Sequence, residues 1–88
     1  MSNRIDSLKS LSAVVLDFNG KFTEPAVFLG IEGEGDDRRA KFAQPTEHTE
    51  SGYYTWDAYR YNGKWAYGTS AERLSLVSSY PLEGWVGR

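Results

Sequence analysis

Tyr53-Tyr54-Thr55-Trp56-Asp57-Ala58-Tyr59-Arg60-Tyr61, then Asn62-Gly63, then Lys64-Trp65-Ala66-Tyr67-Gly68-Thr69, reads as a β-hairpin. Asn-Gly favours positive φ at both central positions, which a type I′ turn requires. A two-residue turn sets Tyr61 opposite Lys64, Arg60 opposite Trp65 and Ala58 opposite Tyr67. Side chains alternate along a strand, so one face carries Tyr54, Trp56, Ala58, Arg60, Trp65 and Tyr67. The other carries Tyr53, Thr55, Asp57, Tyr59, Tyr61, Lys64 and Ala66. A small sheet buries one face against a core. The second face then leaves tyrosines beside charges, a composition suited to binding. Arg60 opposite Trp65 is placed for a cation–π contact worth roughly 0.5–1 kcal/mol at an exposed site.

Outward from the hairpin, the remaining segments also read as short strands. Residues 13–18 place Val14, Leu16 and Phe18 on one face, and Asn19-Gly20 is a second turn signal that Pro25 soon interrupts. Residues 26–34 predict a strand with Val27, Leu29 and Ile31 inward, bent or bulged at Gly30 and Gly33. Gly35-Asp36-Asp37 is a turn. Residues 38–43 return with Ala40 and Phe42 inward, and the polar run 44–51, with Pro45, is the longest exposed loop. Ser70-Ala71-Glu72-Arg73 reads as one helical turn and Leu74–Val77 as a last short strand. Residues 1–12 form an N-terminal arm or short helix with Ile5, Leu8 and Leu11 at spacing three, and 79–88 a tail whose Trp85 and Val86 dock on the body. The pattern predicts a mainly β fold, a small five-stranded antiparallel SH3-like barrel or a strongly bent sheet.

Eighty-eight residues make one domain, 1–88, and such a chain buries roughly 60–70% of its unfolded surface. With 40% hydrophobic and 15% aromatic residues it folds rather than staying disordered. The absence of cysteine excludes disulfides, thiolate metal sites and cysteine nucleophiles, and is compatible with a reducing compartment. No apolar run approaches the roughly 20 residues that span a bilayer, and the start has no apolar signal region. The expectation is a soluble, cytoplasmic protein without a membrane partner. Net charge is −2, unevenly spread: residues 24–57 hold eight acids against three bases. A nucleic-acid binder usually shows a clear basic excess, and the whole chain has none.

The run Trp65-Ala66-Tyr67-Gly68-Thr69-Ser70-Ala71-Glu72-Arg73-Leu74 resembles the close of the plasmid-borne type II dihydrofolate reductases. Those are SH3-like barrels ending in a strand, a helical turn and a last strand. Their substrate-binding strand reads Gln-Ile-Tyr; here Trp65 and Ala66 replace the first two, and only Tyr67 matches. The resemblance implies the fold and not the activity.

His48 is the only histidine, in the polar stretch Thr46-Glu47-His48-Thr49-Glu50, and nothing nearby supplies a nucleophile for it to serve. Glu32-Gly33-Glu34-Gly35-Asp36-Asp37 offers oxygens but lacks the twelve-residue calcium-loop spacing and runs straight into Arg38-Arg39. The glycines from Gly30 to Gly35 are in the wrong order for a dinucleotide fingerprint. No catalytic residue, metal or cofactor is assigned.

The first expectation is a non-catalytic protein-interaction module. It binds a larger protein through Tyr53, Asp57, Tyr59, Tyr61 and Lys64 on the hairpin. Size and acidic bias suit an accessory protein of the kind phages and plasmids encode. A specific form is an inhibitor of a host nucleic-acid enzyme, of anti-CRISPR or anti-restriction type. A second reading, a single-stranded nucleic-acid-binding barrel, requires Arg38, Arg39, Lys41, Arg60 and Lys64 to converge. A third is a small oligomeric enzyme with a site shared between subunits.

Overall fold

In the computed structural model, which describes residues 5–81, the chain forms a closed antiparallel barrel. Its strands are β1 (Ser12–Phe18), β2 (Phe22–Glu32), β3 (Arg39–Pro45), β4 (Tyr53–Tyr61), β5 (Lys64–Tyr67) and β6 (Glu72–Pro81). Each pairs with the next in sequence, and β6 closes on β1. Short 3-10 turns span Ile5–Ser7 and Gly35–Asp37. The barrel therefore has six strands where five were expected.

The central hairpin has the register that Asn62-Gly63 dictates. Tyr61 faces Lys64 and Arg60 faces Trp65, with φ of 51° at Asn62 and 75° at Gly63. Alternation on β1 buries Val14, Leu16 and Phe18, and β3 buries Ala40 and Phe42. Phe28 and Phe42 are cross-strand partners with ring centroids 5.6 Å apart, and Phe42 stacks on its β4 partner Trp56 at 5.0 Å. Phe18 meets Trp56 across the lumen at 5.9 Å. This aromatic row fills the barrel, with Ala26, Ala40 and Ala58 supplying the small positions it needs. Burying each such ring contributes roughly 1.5–3 kcal/mol. Ile5 and Leu8 pack into the same core from the N-terminal arm.

Two bulges bend the sheet into closure. One lies between Val15 and Leu16 against β6, and the other between Phe28 and Gly30 against β3. The second overturns the expected facing of β2. Ala26 and Phe28 point inward, Val27 and Leu29 lie on the outer side, and only Ile31, beyond the bulge, packs on the core as read. Counting back from Ile31 at period two gives the wrong face because Leu29 is the extra residue. Gly30 takes φ 143°, a conformation that L side chains rarely adopt.

Pro25 does not interrupt β2; it pairs with Val15 of β1. Its carbonyl accepts a hydrogen bond from Gln44 Nε2 at 3.3 Å, so its N and C=O face β3, whose ladder with β2 starts only at Val27. The missing N–H therefore removes no ladder bond. Residues 70–73 are not helical either. Gly68–Ala71 is a turn with φ 53° at Ala71, and Glu72 and Arg73 already belong to β6. Of the expected tail, residues 79–81 extend β6; Trp85 and Val86 lie outside the described residues. No helix among the described residues is long and apolar enough to cross a membrane.

Candidate functional site

The outer side of β4 carries the expected binding face, but its members do not form one patch. Tyr53 and Tyr61, 52% and 53% exposed, are eight residues apart and so roughly 26 Å along the strand. The middle of the face is engaged internally. Tyr59 is half-buried, donates its hydroxyl to the Gly68 carbonyl at 2.6 Å and lies beneath the Arg39 guanidinium at 6.0 Å. Asp57 forms an ion pair with Lys41 at 3.5 Å, and Lys41 also reaches Glu32 at 3.9 Å. Tyr61 and Lys64 are cross-strand partners at the hairpin tip, both exposed.

At the other end, Tyr53 is part of something the sequence reading missed. Val27 and Leu29 from β2, Ala43 and Pro45 from β3, and Tyr53 and Thr55 from β4 line an open, almost wholly apolar groove of about 480 Å³. Its centre is the cross-strand row Val27, Ala43, Thr55. The small methyl of Ala43 between larger neighbours makes the depression. Loop 46–52 forms one rim. It is pinned by Thr46 N–H to the Gly52 carbonyl at 2.9 Å, and the Thr49 and Ser51 hydroxyls donate to the Tyr53 carbonyl at 2.9 and 2.8 Å. Pro45 and Gly52 are shared with a more open hollow lined by Thr46, Glu47 and His48. His48 is exposed there, with its backbone N–H donated to Thr46 Oγ1 at 3.2 Å. Glu47 and Glu50 on this rim make no ion pair among the described residues.

The five cations of the nucleic-acid reading do not gather into one patch: Arg38, Arg60 and Lys64 lie around Trp65, and Arg39 and Lys41 are engaged elsewhere. Arg38 and Arg60 both lie over the Trp65 ring, at 6.0 and 4.9 Å, and Arg38 also reaches Asp6 at 3.5 Å. Arg39 covers Tyr59, and Lys41 sits between two carboxylates. Lys64 is near Arg60 and near Arg73, which the reading of 70–73 as helix had hidden. Among the described residues no group of three or more His, Asp or Glu side chains is placed to hold a metal ion.

The mouth of the barrel opposite the N-terminal arm is built from aromatic and polar groups that satisfy one another. Gln44 is buried; its Oε1 accepts Tyr54 Oη and Trp56 Nε1, each at 2.9 Å, while its Nε2 donates to Glu24 at 3.2 Å and to the Pro25 carbonyl. Phe22, half-exposed, stacks on Phe18 at 5.0 Å. Lys21 and Asn19 both donate to Glu72 Oε1, at 2.6 and 3.1 Å. The Lys21 hydrogen bond holds the Glu72 carboxyl below its ordinary value, and the same bond raises Lys21. The Tyr67 phenol is raised, first by partial desolvation and then by the Glu72 charge.

Comparison with known proteins finds no matching family model, no matching curated protein and no matching solved structure.

Proposed function

We propose that this chain is a non-catalytic protein-binding module. It takes an apolar side chain of a partner into the groove between β2 and β4, with Tyr53 as the anchor at its edge. The observation that carries this reading is an apolar hollow on the outside of a barrel whose lumen is already full of aromatic rings. Apolar side chains left in water in a concave patch gain most from a second apolar surface.

The charge around the groove supports a partner with basic residues. Of the three bases in residues 24–57, Lys41 is spent on Glu32 and Asp57, Arg38 on Asp6, and Arg39 on the Tyr59 ring. Glu47 and Glu50 remain to meet the partner beside the groove. The fitting segment has an aliphatic or aromatic side chain flanked by lysine or arginine. An inhibitor of a host nucleic-acid enzyme, of anti-CRISPR or anti-restriction type, is the specific form of this reading. Such enzymes carry basic channels that an acidic rim complements. Within the same proposal the barrel is of SH3-like type, supported by its long bent β2 and tight β4–β5 hairpin. The dihydrofolate reductase resemblance enters as fold alone.

The test is selection of displayed random peptides on the immobilised protein, followed by titration of the winners. Enriched peptides carry an apolar anchor beside basic residues, and Val27→Asp with Tyr53→Ala weakens them at least tenfold while circular dichroism stays unchanged. Enrichment without that pattern, or equal affinity for the folded double variant, would overturn the assignment.

A further inference from the structure

A second hollow lies at the far end of the β4–β5 hairpin. β5 has four residues and β6 ten, and the two pair only at Ala66–Arg73 and Tyr67–Glu72. Beyond Leu74 the hairpin tip and β6 part, leaving a cleft of about 430 Å³. Arg60, Lys64 and Trp65 line it from the hairpin, Arg73 and Ser75 from β6, and Asp6 from the N-terminal arm.

Three cations share this cleft in a protein whose net charge is −2. The one acid among them is partnered already, with Arg38 at 3.5 Å from Asp6 Oδ1. Arg60 is held in place by the Trp65 ring beneath it and by its hydrogen bond to the Gly63 carbonyl at 2.8 Å. That bond uses one of its five N–H donors. Lys64 and Arg73 have no hydrogen bond or ion pair from their side chains among the described residues. Three cations beside one carboxylate that Arg38 already shares leave an excess of positive charge, so the arrangement favours a bound anion. Trp65 supplies an independent sign of a missing acceptor. The residue is 6% exposed, and its indole N–H is the one buried side-chain polar atom among the described residues with no partner.

We propose that this cleft is a phosphate-binding site. The donors come from three strands, Arg60 from β4, Lys64 from β5 and Arg73 from β6. Such a spread suits the several oxygens of a tetrahedral phosphate better than the two coplanar oxygens of a carboxylate. Arg60 is the pre-positioned donor, and Lys64 and Arg73 close on the anion from either side. The phosphate is a free or terminal group in one case and a backbone diester of single-stranded nucleic acid in the other.

The experiment is two-dimensional ¹⁵N–¹H NMR on the full chain, following the Trp65 indole N–H, assigned with Trp65→Phe. One arm adds inorganic phosphate and the other an oligothymidine without terminal phosphates, both at constant ionic strength with chloride as control. A saturable shift of the Trp65 signal is expected, weakened at least tenfold in Lys64→Gln with Arg73→Gln. Both replaced side chains are exposed, and a dispersed spectrum verifies that the variant folds; Lys64→Gln alone gives an intermediate loss. Response to phosphate identifies the free or terminal group, and response to the oligonucleotide alone identifies the diester. A shift matching the chloride control in both arms, or equal titration of the folded double variant, would overturn the proposal.

Discussion

Replacing Gln44 by leucine tests whether one buried amide ties together three strands at the barrel mouth. Leucine keeps the volume and removes every polar contact. Tyr54 is 45% exposed, so its hydroxyl turns to water at little cost. Trp56, half-buried, loses the acceptor its Nε1 has at 2.9 Å, while Pro25 and Glu24 are exposed and turn to water as Tyr54 does. Leaving the shielded indole N–H unpaired costs about 1–3 kcal/mol, the three exposed bonds about 0.5 kcal/mol each, and the more apolar side chain returns roughly 1 kcal/mol. The net expectation is a loss of about 1.5–3.5 kcal/mol. At about 4–8 °C per kcal/mol for a domain of this size, the melting temperature falls by roughly 6–28 °C. Urea denaturation gives the free energy, and a second substitution apportions it. Tyr54→Phe costs about 0.5–1.5 kcal/mol in the parent and close to nothing in Gln44→Leu, because its acceptor is already gone. A Gln44→Leu protein within about 0.5 kcal/mol of the parent, with an unchanged denaturant slope, would refute the reasoning. Equal costs for Tyr54→Phe in both backgrounds would do the same.

Two glycines separate backbone strain from steric clash. A Cβ on Gly63 meets nothing within 4 Å, so Gly63→Ala costs only the conformational penalty of φ 75°, about 1–2 kcal/mol. A Cβ on Gly33 lies 2.6 Å from the Asp37 carbonyl oxygen at φ 91°, so Gly33→Ala costs more; thermal melts in the reverse order would contradict the turn geometry at residues 33–37. The Lys21–Glu72 pair gives a pH signature. Glu72, lowered from 4.5, stabilises the fold above that value and stops doing so as pH falls through its native pKa. Lys21, raised from 10.5, stabilises below that value and stops as pH rises through its native pKa. The difference in melting temperature between parent and Lys21→Met is therefore level between those limits and shrinks outside both; a difference that grows in acid would sink the assignment.

The hairpin was legible because its information is local. Asn62-Gly63 accepts positive φ at two adjacent positions, and the register of Arg60 on Trp65 follows from the turn alone. β1 and β3 were legible because Val14, Leu16, Phe18, Ala40 and Phe42 sit at unbroken period two. β2 was not, for a physical reason: it is apolar on both sides, so hydrophobicity does not mark its inner face, and the bulge at Leu29 reverses the phase midway. That single inversion placed Val27 and Leu29 in the core and concealed the groove they line. Arg73 was hidden in the same way. Ser-Ala-Glu-Arg has good local helix propensity, but closing β6 on β5 and β1 overrides it.

Where a ligand can sit on this molecule follows from the packing. A closed barrel of six strands has a narrow lumen, and Phe28, Phe42, Trp56 and Phe18 occupy it. One mouth is filled by Ile5 and Leu8, and at the other the polar groups of Gln44, Tyr54 and Trp56 satisfy one another. Among the described residues that leaves the outer surface and the β5–β6 gap open. Those two places differ in kind. The groove is apolar and lies beside a loop that carries exposed Glu47 and Glu50, and the gap is cationic around Trp65, whose indole N–H has no partner. They sit toward opposite ends of β4, roughly 23 Å apart as the strand runs from Tyr53 to Arg60. On the two proposals made above, ligands of unlike chemistry engage the chain independently, and losing one site leaves the other intact.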